Sequence, residues 1–152
     1  MSLFTGFFVH NMDDKGRLIL PAKLRLSLGV RFYLTRGIGG CVFLFSEDHW
    51  RSLVEKLTRF SFFDKNAVLL QRLLVGGAEE ASCDKQGRLA IPLSLREYAG
   101  LKENDDVVIM GMGDRIEIWS KERWNKFEEE LTPEEIAKAA EKLGFLETSP
   151  EL

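Results

Sequence analysis

The apolar and polar positions of this chain follow one pattern that occurs twice. Apolar stretches broken by turn residues predict a strand over about 6–12, a tight turn, a second short strand that ends at Pro21, and a short helix after that proline. Two more strands, near 32–36 and 41–45, are separated by glycines and lead to a helix for which Ser46 is the N-cap. The same series of elements occurs again. It has strands near 77–83, 106–110 and 115–119, a short helix after Pro92, and a helix for which Ser120 is the N-cap.

The residues repeat as well as the pattern. The motif D-x-x-G-R-L-x-(L/I)-P-x-x-L-R runs from Asp13 to Arg25 and again from Asp84 to Arg96, at an offset of 71 residues. Three extra residues follow near 103–105, after which the two copies match again at an offset of 74. A unit of this length is too long for a solenoid repeat and has the size of a small domain. We therefore predict an internal duplication that forms a pseudo-dimer within one chain.

Two helical segments lie outside the repeated pattern. Residues 64–75 have apolar positions at helical spacing, which predicts a helical connector between the copies. Pro133, followed by acidic residues, predicts the start of a last helix that Gly144 ends. The predicted division is a first module at 7–53, a connector at 54–76, a second module at 78–123 and a helical tail at 124–152.

The size of each copy constrains the fold. Four short strands and one helix cannot cover a hydrophobic core, because small sheets leave apolar faces and unpaired edges exposed. The two copies must therefore share a core, and a chain of 152 residues with 45% hydrophobic residues can bury one. We predict an α+β fold in which both copies build one small β-barrel around a pseudo-twofold axis, with peripheral helices.

Composition argues against several kinds of site. No stretch approaches eighteen apolar residues, so we expect no membrane span, and the N-terminus lacks the pattern of a signal peptide. Cys41 and Cys83 lie singly, without C-x-x-C spacing, and we interpret both as small buried hydrophobic residues in a reducing compartment. His10 and His49 have no companions at metal-ligand or triad spacing. We expect no cofactor, no metal and no small-molecule substrate.

Charge is distributed unevenly along the chain. The net charge is −3, but residues 1–76 carry 11 Lys and Arg against 6 Asp and Glu, whereas residues 77–152 carry 10 against 18. Six of the cations lie between Lys15 and Arg36, a stretch without any acid. Salt screens charges beyond about 8 to 10 Å, so this local field can attract phosphate despite the acidic total. Charge alone leaves two interpretations open, a phosphate-binding surface and a solvated basic face.

The duplicated motif resembles a known family. D-x-x-x-R in each half, followed by a serine-capped helix with an early Trp, resembles the swapped-hairpin β-barrels of the AbrB class, and the tandem copy resembles the MraZ family in particular. The resemblance covers about residues 4–131. It implies a duplicated AbrB-like swapped-hairpin barrel and a bacterial transcriptional regulator of the division and cell-wall gene cluster, located in the cytoplasm and nucleoid. It also implies a homo-oligomeric ring that binds short direct repeats of double-stranded DNA in its own promoter.

The resemblance places the principal DNA contact in the first-copy loop from Asp13 to Arg17. We expect Arg17 to contact DNA, because a guanidinium can donate two hydrogen bonds to guanine O6 and N7; an ion pair with Asp13 is the alternative, and both can hold. Lys15 and Lys23 suit phosphate contacts. The residues expected to brace the loops or to play a secondary part are Asp13, Gly16, Arg25, Asp84, Gly87 and Arg88.

The second copy departs from the first at the positions that matter for DNA. Lys85-Gln86 stands where the first copy has Asp14-Lys15, and Leu93-Ser94 replaces Ala22-Lys23. For Arg88 we therefore favour an ion pair with Asp84 over a DNA contact.

Three other classes of function compete with DNA-binding regulation. One Asp from each half is typical of aspartic proteases, but an Arg four residues after each Asp would hold both carboxylates ionised, so we predict no enzyme. An AbrB-like antitoxin would bind DNA through the same barrel, yet such proteins normally have one module and an extended tail. A purely structural ring would leave the basic loop unexplained.

Overall fold

The computed structural model describes residues 2–145. Its strands are β1 (Phe7–Asn11), β2 (Arg17–Ile19), β3 (Phe32–Arg36), β4 (Val42–Ser46), β5 (Glu79–Ala81), β6 (Arg88–Ala90), β7 (Asp106–Gly111) and β8 (Ile116–Ser120). Its helices are α1 (Ala22–Leu28), α2 (Glu47–Thr58), α3 (Lys65–Leu70) with a π-helical extension (Gln71–Val75), α4 (Leu93–Ala99), α5 (Lys121–Glu129) and α6 (Pro133–Lys142). Every element predicted from the sequence is present, with shifted ends.

Local signals in the sequence fix the helix starts. Pro21 and Pro92 are the residues directly before α1 and α4, with φ of −53° and −55°. Ser46 caps α2 by accepting a hydrogen bond from the backbone N–H of His49 at 3.3 Å, and Thr132 caps α6 through the N–H of Glu135 at 3.2 Å. These hydrogen bonds satisfy backbone donors that have no partner inside the helix.

The strand pairing crosses between the two copies. All pairs in the six-stranded sheet are antiparallel, in the order β1-β7-β8-β4-β3-β5. The first strand of each copy pairs with the third strand of the other, β1 with β7 and β5 with β3, while β4 and β8 join the copies at the centre. A separate two-stranded ribbon pairs β2 with β6. The expected interlocking of the copies is therefore present in the sheet.

The predicted β-barrel is wrong, because the described strands do not close. β1 and β5 are the two edges of the six-stranded sheet, and the ribbon pairs only with itself. Each ribbon strand is three residues long and is soon followed by Pro21 or Pro92. Proline has no backbone N–H to donate to a neighbouring strand, so the ribbon cannot extend into a closing ladder.

The ribbon and the short helices cover one face of the sheet instead. Leu18 and Leu89 of the ribbon are buried in one cluster with Leu24 of α1 and Leu95 of α4. The sheet contributes the following residues to this cluster: Phe32, Leu34, Val42, Leu44, Val107, Ile109, Ile116 and Ile118. Side chains alternate along a strand, so Phe43 and Phe45 point to the opposite face, where they pack with Leu57 of α2 and Leu74 of the connector.

The chain forms two compact units, Met1–Lys121 and Glu122–Leu152. Within the second unit, the rings of Trp124 and Phe127 lie 5.2 Å apart, and Nε1 of Trp124 donates to Glu128 at 3.0 Å. Gly144, at φ +67°, ends α6 as predicted. Within the described part of the chain, none of the helices has the length and apolar character needed to cross a membrane.

Candidate nucleic-acid interface

Asp13 organises the first-copy loop. The backbone N–H of Asp13 donates to the carbonyl of Arg17 at 2.8 Å and closes the turn between β1 and β2. Oδ1 of Asp13 accepts the backbone N–H groups of Lys15 and Arg17, at 2.9 and 2.8 Å. Oδ2 accepts from Nε of Arg17 at 2.8 Å. One carboxylate therefore holds both the loop backbone and the arginine side chain.

Asp84 makes the same contacts in the second copy. Its Oδ1 accepts the backbone N–H groups of Gln86 and Arg88, both at 2.9 Å, and its Oδ2 accepts from Nε of Arg88 at 2.7 Å. The ion pair that sequence reasoning favoured for Arg88 is thus matched by an equivalent pair in the first copy. The loops differ in charge, and not in how their arginines are held.

Both carboxylates are held ionised. The backbone N–H of Arg17 is the largest influence on Asp13 and, with the N–H of Lys15 and the guanidinium of Arg17, lowers the pKa of Asp13 from 3.8 to about 2. The N–H and guanidinium of Arg88 lower the pKa of Asp84 in the same way. Such carboxylates cannot share a proton near neutral pH, which is the state that aspartic-protease chemistry needs.

Each loop is covered by an arginine of the other copy. Gly16 and Gly87 have positive φ of 73° and 79°, which favours glycine. A Cβ atom at Gly87 would collide with Nη1 of Arg25, and one at Gly16 would lie 2.6 Å from Cζ of Arg96. Arg96 is fixed there by a hydrogen bond from its Nε to the carbonyl of Ile91 at 2.9 Å. Each arginine therefore lies against the loop glycine of the other copy.

The ribbon joins the two loops into one surface. Arg17 is opposite Ala90, and Ile19 is opposite Arg88. Leu18 and Leu89 point into the core, so the alternate positions share the outer face. In each arginine, Nε donates the hydrogen bond to the Asp of the same loop. The two terminal nitrogens, Nη1 and Nη2, take no part in that bond.

The two lysines predicted to bind phosphate lie on the segments directly before and after β2. Lys15 is exposed in the first loop, next to Gly16. Lys23 is exposed on α1, where its Nζ donates to Oγ1 of Thr5 at 3.1 Å. The corresponding second-copy position is Ser94 on α4, without a charge.

Sequence reasoning placed Arg17 and Arg88 in separate loops and missed that they share one face. It also missed that Ile19, which is 50% exposed, lies between them on that face. The signal was present in the repeat: antiparallel pairing of two equivalent three-residue strands puts equivalent residues on the same side.

The remaining polar candidates have structural surroundings. His49 is buried and its Nε2 lies 2.6 Å from the carbonyl oxygen of Ser2. Cys41 is buried as expected, but Cys83 is only partly buried, and burial raises the pKa of its thiol. Within residues 2–145, no group of three His, Cys, Asp or Glu side chains is placed to hold a metal ion.

Comparison with known proteins matches the whole duplicated region. A family model described as "MraZ protein, putative antitoxin-like" matches twice, at residues 3–73 and 74–145. Transcriptional regulator MraZ of Heliobacterium modesticaldum is 47% identical over 89% of this chain and 94% of its own length. The protein of the same name from Halothermothrix orenii is 46% identical over 94% of this chain and 100% of its own.

The solution structure of PHS018 from Pyrococcus horikoshii is also similar. It is 17% identical and covers 79% of this chain and 97% of its own, with a TM-score of 0.34, which is too low to support an assignment of fold. The sequence relatives are decisive, because they are more than 40% identical over nearly the full chain. The chain belongs to the MraZ family, a family of transcriptional regulators and not of enzymes.

Proposed function

We propose that this protein regulates transcription by binding specific DNA through the outer face of the β2–β6 ribbon and the loop at 13–17. The observation that carries this is the position of Arg17 on the outer face of a two-stranded ribbon, where Asp13 holds its Nε and the two terminal nitrogens take no part in that bond. The major groove admits a two-stranded β-ribbon, and arginine is the commonest partner of guanine there.

Preorganisation makes Arg17 suited to this contact. Its bond to Asp13 restricts a long side chain before DNA arrives, so less conformational freedom is lost on binding. The terminal nitrogens of Arg17 donate to guanine O6 and N7, while Lys15 and Lys23 neutralise phosphates on either side.

In this proposal the two copies contribute unequally to DNA binding. The first copy supplies Lys15 and Lys23, whereas the second has Gln86 and Ser94 at those positions, with a lysine only at Lys85, where the first copy has Asp14. Since phosphate contacts supply much of the affinity for DNA, the first copy dominates binding. Arg88 serves chiefly to hold its own loop through Asp84.

Several finer features belong to the same proposal. The crossed strand pairs correspond to the swapped-hairpin arrangement of AbrB-like domains. Subunits form a closed ring that presents several loops in series to short direct repeats upstream of the chain's own gene. The regulated genes are the division and cell-wall cluster, and the protein acts in the cytoplasm on the nucleoid.

An antitoxin role is the second candidate, because the matching family model carries the words antitoxin-like. An antitoxin of the AbrB type neutralises its toxin with an extended tail. Here residues 133–142 form a capped helix with proline at its start, which favours the regulator.

An electrophoretic shift assay tests the proposal. The full chain is titrated into a duplex taken from the DNA upstream of its own gene and into a scrambled duplex of equal length. We expect at least tenfold tighter binding of the first duplex. Equal affinity for both would contradict sequence-specific regulation, and no binding to either would contradict a DNA partner altogether.

A further inference from the structure

Two exposed apolar surfaces of this chain have complementary chemistry. The first, here called the aromatic groove, lies at the start of α3 and has a volume of about 460 Å³. It is lined by Phe62, Phe63, Val68 and Leu69, with Lys65 and Arg72 beside them. Phe62 and Phe63 are 73% and 83% exposed, an unusual state for neighbouring aromatic residues.

Local contacts hold the residues of the aromatic groove in position. Asp64 caps α3 by accepting the backbone N–H groups of Asn66 and Ala67, at 2.9 and 3.2 Å. The rings of Phe62 and Phe63 lie 4.3 Å apart, so they present one joint surface. The groove is therefore a fixed feature of the loop before α3 and of α3 with its extension, and Lys65 and Arg72 are among its lining residues.

The second surface is the apolar stripe of α6. Ile136, Ala140 and Leu143 follow each other at four and three residues, the spacing of one helix face. Ile136 is 53% and Leu143 is 83% exposed. The approach to this helix is acidic: residues 128–135 contain five Glu and neither Lys nor Arg.

We propose that α6 of one chain docks into the aromatic groove of a second copy. An amphipathic helix that places residues spaced by three and four into an apolar groove is a common mode of recognition. Charge selects the pairing, because Lys65 and Arg72 at the groove attract the five Glu at 128–135, before and at the start of α6. Groove against groove would bring like charges together.

Pairing of unlike surfaces has a geometric consequence. Each chain carries one groove and one helix, so every subunit added leaves one of each free until the assembly closes on itself. This is the contact that a ring of direct repeats needs, and the inference rests on the ring in the proposed function. It adds the residues that join one subunit to the next.

Two substitutions on exposed side chains separate the surfaces. Phe63→Glu disables the groove and Ile136→Glu disables the helix, and neither residue is in the core. Mass in solution, measured by light scattering, should fall from the parent assembly to the single 17.4 kDa chain for each variant alone. Mixed in equal amounts, the two should form a heterodimer and nothing larger, because the first retains a helix and the second retains a groove.

Matched controls introduce glutamate elsewhere. Lys138→Glu places the same side chain on the face of α6 opposite the stripe, and Ile38→Glu replaces a 57% exposed side chain outside the groove; both should assemble like the parent. Three results would each overturn the proposal. The test variants could keep the mass of the parent, the parent could be a single chain at tens of micromolar, or the mixture could stay monomeric.

A measurement of DNA binding distinguishes this inference from the proposed function. The monomeric variants should bind a short duplex containing one box from the upstream DNA as well as the parent protein does, within about twofold. Arg17→Ala should weaken that binding by roughly 5- to 150-fold while assembling normally. If the parent assembles as proposed but binds no upstream DNA, the regulator proposal fails and the docking of α6 stands.

Discussion

The guanidinium of Arg25 covers Gly87 so closely that a Cβ atom on the glycine would collide with Nη1 of the arginine. The two residues belong to different copies of the motif, and Arg96 covers Gly16 in the same way. The final arginine of each motif thus contacts the glycine of the other.

Gly87→Ala should lower the free energy of unfolding by about 1 to 3 kcal/mol for the positive φ alone, and further because Arg25 must move. Gly113→Ala is the matched control, since Gly113 also has positive φ, +83°, but open space around it. Urea unfolding measures both. Equal losses of unfolding free energy at the two positions would show that Arg25 can move without an energetic penalty.

The carboxylate of Asp13 should make stability depend on acid pH. Its pKa is about 2 in the fold against an ordinary value of 3.8, so its contribution is present above pH 3.8 and is lost as pH falls toward 2. Asp13→Asn should lower stability at pH 7 and flatten the profile between pH 4 and 2. Urea midpoints at several pH values test this, and an unchanged slope would contradict the pairing with the loop.

Arg17→Ala should weaken specific DNA binding by 1 to 3 kcal/mol per site, roughly 5- to 150-fold. Arg88→Ala, which breaks an equivalent ion pair at 2.7 Å, should chiefly lower stability. Binding isotherms and urea unfolding of both variants separate the two roles. Equal loss of DNA binding in two folded, assembled variants would refute the unequal division between the copies.

The spacing of the DNA boxes tests multivalent binding. One loop neutralises few phosphates, and each contact changes the slope of log K against log salt by only about 0.9, so a single box should bind weakly. Two or three boxes near one helical turn apart should bind about 10² to 10⁴-fold more tightly, because later contacts are intramolecular. Insertion of half a turn should remove this gain. Indifference to the insertion would contradict simultaneous contact by several loops.

Neither half of the chain should fold alone. Residues 1–76 would lose the partners of β1, β2 and β3 that the second copy supplies, and residues 77–152 would lose theirs. Unpaired edges and an uncovered apolar face would remain. Amide dispersion in NMR spectra of each half measures this, and two well-dispersed monomers would refute the shared core.

The sequence by itself determined the elements and their order. Ser46 caps α2, Pro21 and Pro92 directly precede α1 and α4, and Pro133 begins α6, because these signals act within one turn of the chain. The repeated motif also predicted the Asp84–Arg88 pair and offered the Asp13–Arg17 pair as an alternative to, or alongside, a DNA contact, since an interaction four residues apart is local.

The tertiary structure alone decided what meets across the two copies. Contacts such as Arg25 over Gly87, or Arg17 and Arg88 on one ribbon face, join residues about 60 to 70 positions apart. Their formation depends on which strands pair, and the sequence pattern of a short strand specifies its faces but not its partner. For the same reason the sequence predicted a closed barrel where the strands form an open sheet and a separate ribbon. Closure requires continuous backbone pairing, which two three-residue strands followed by proline cannot supply.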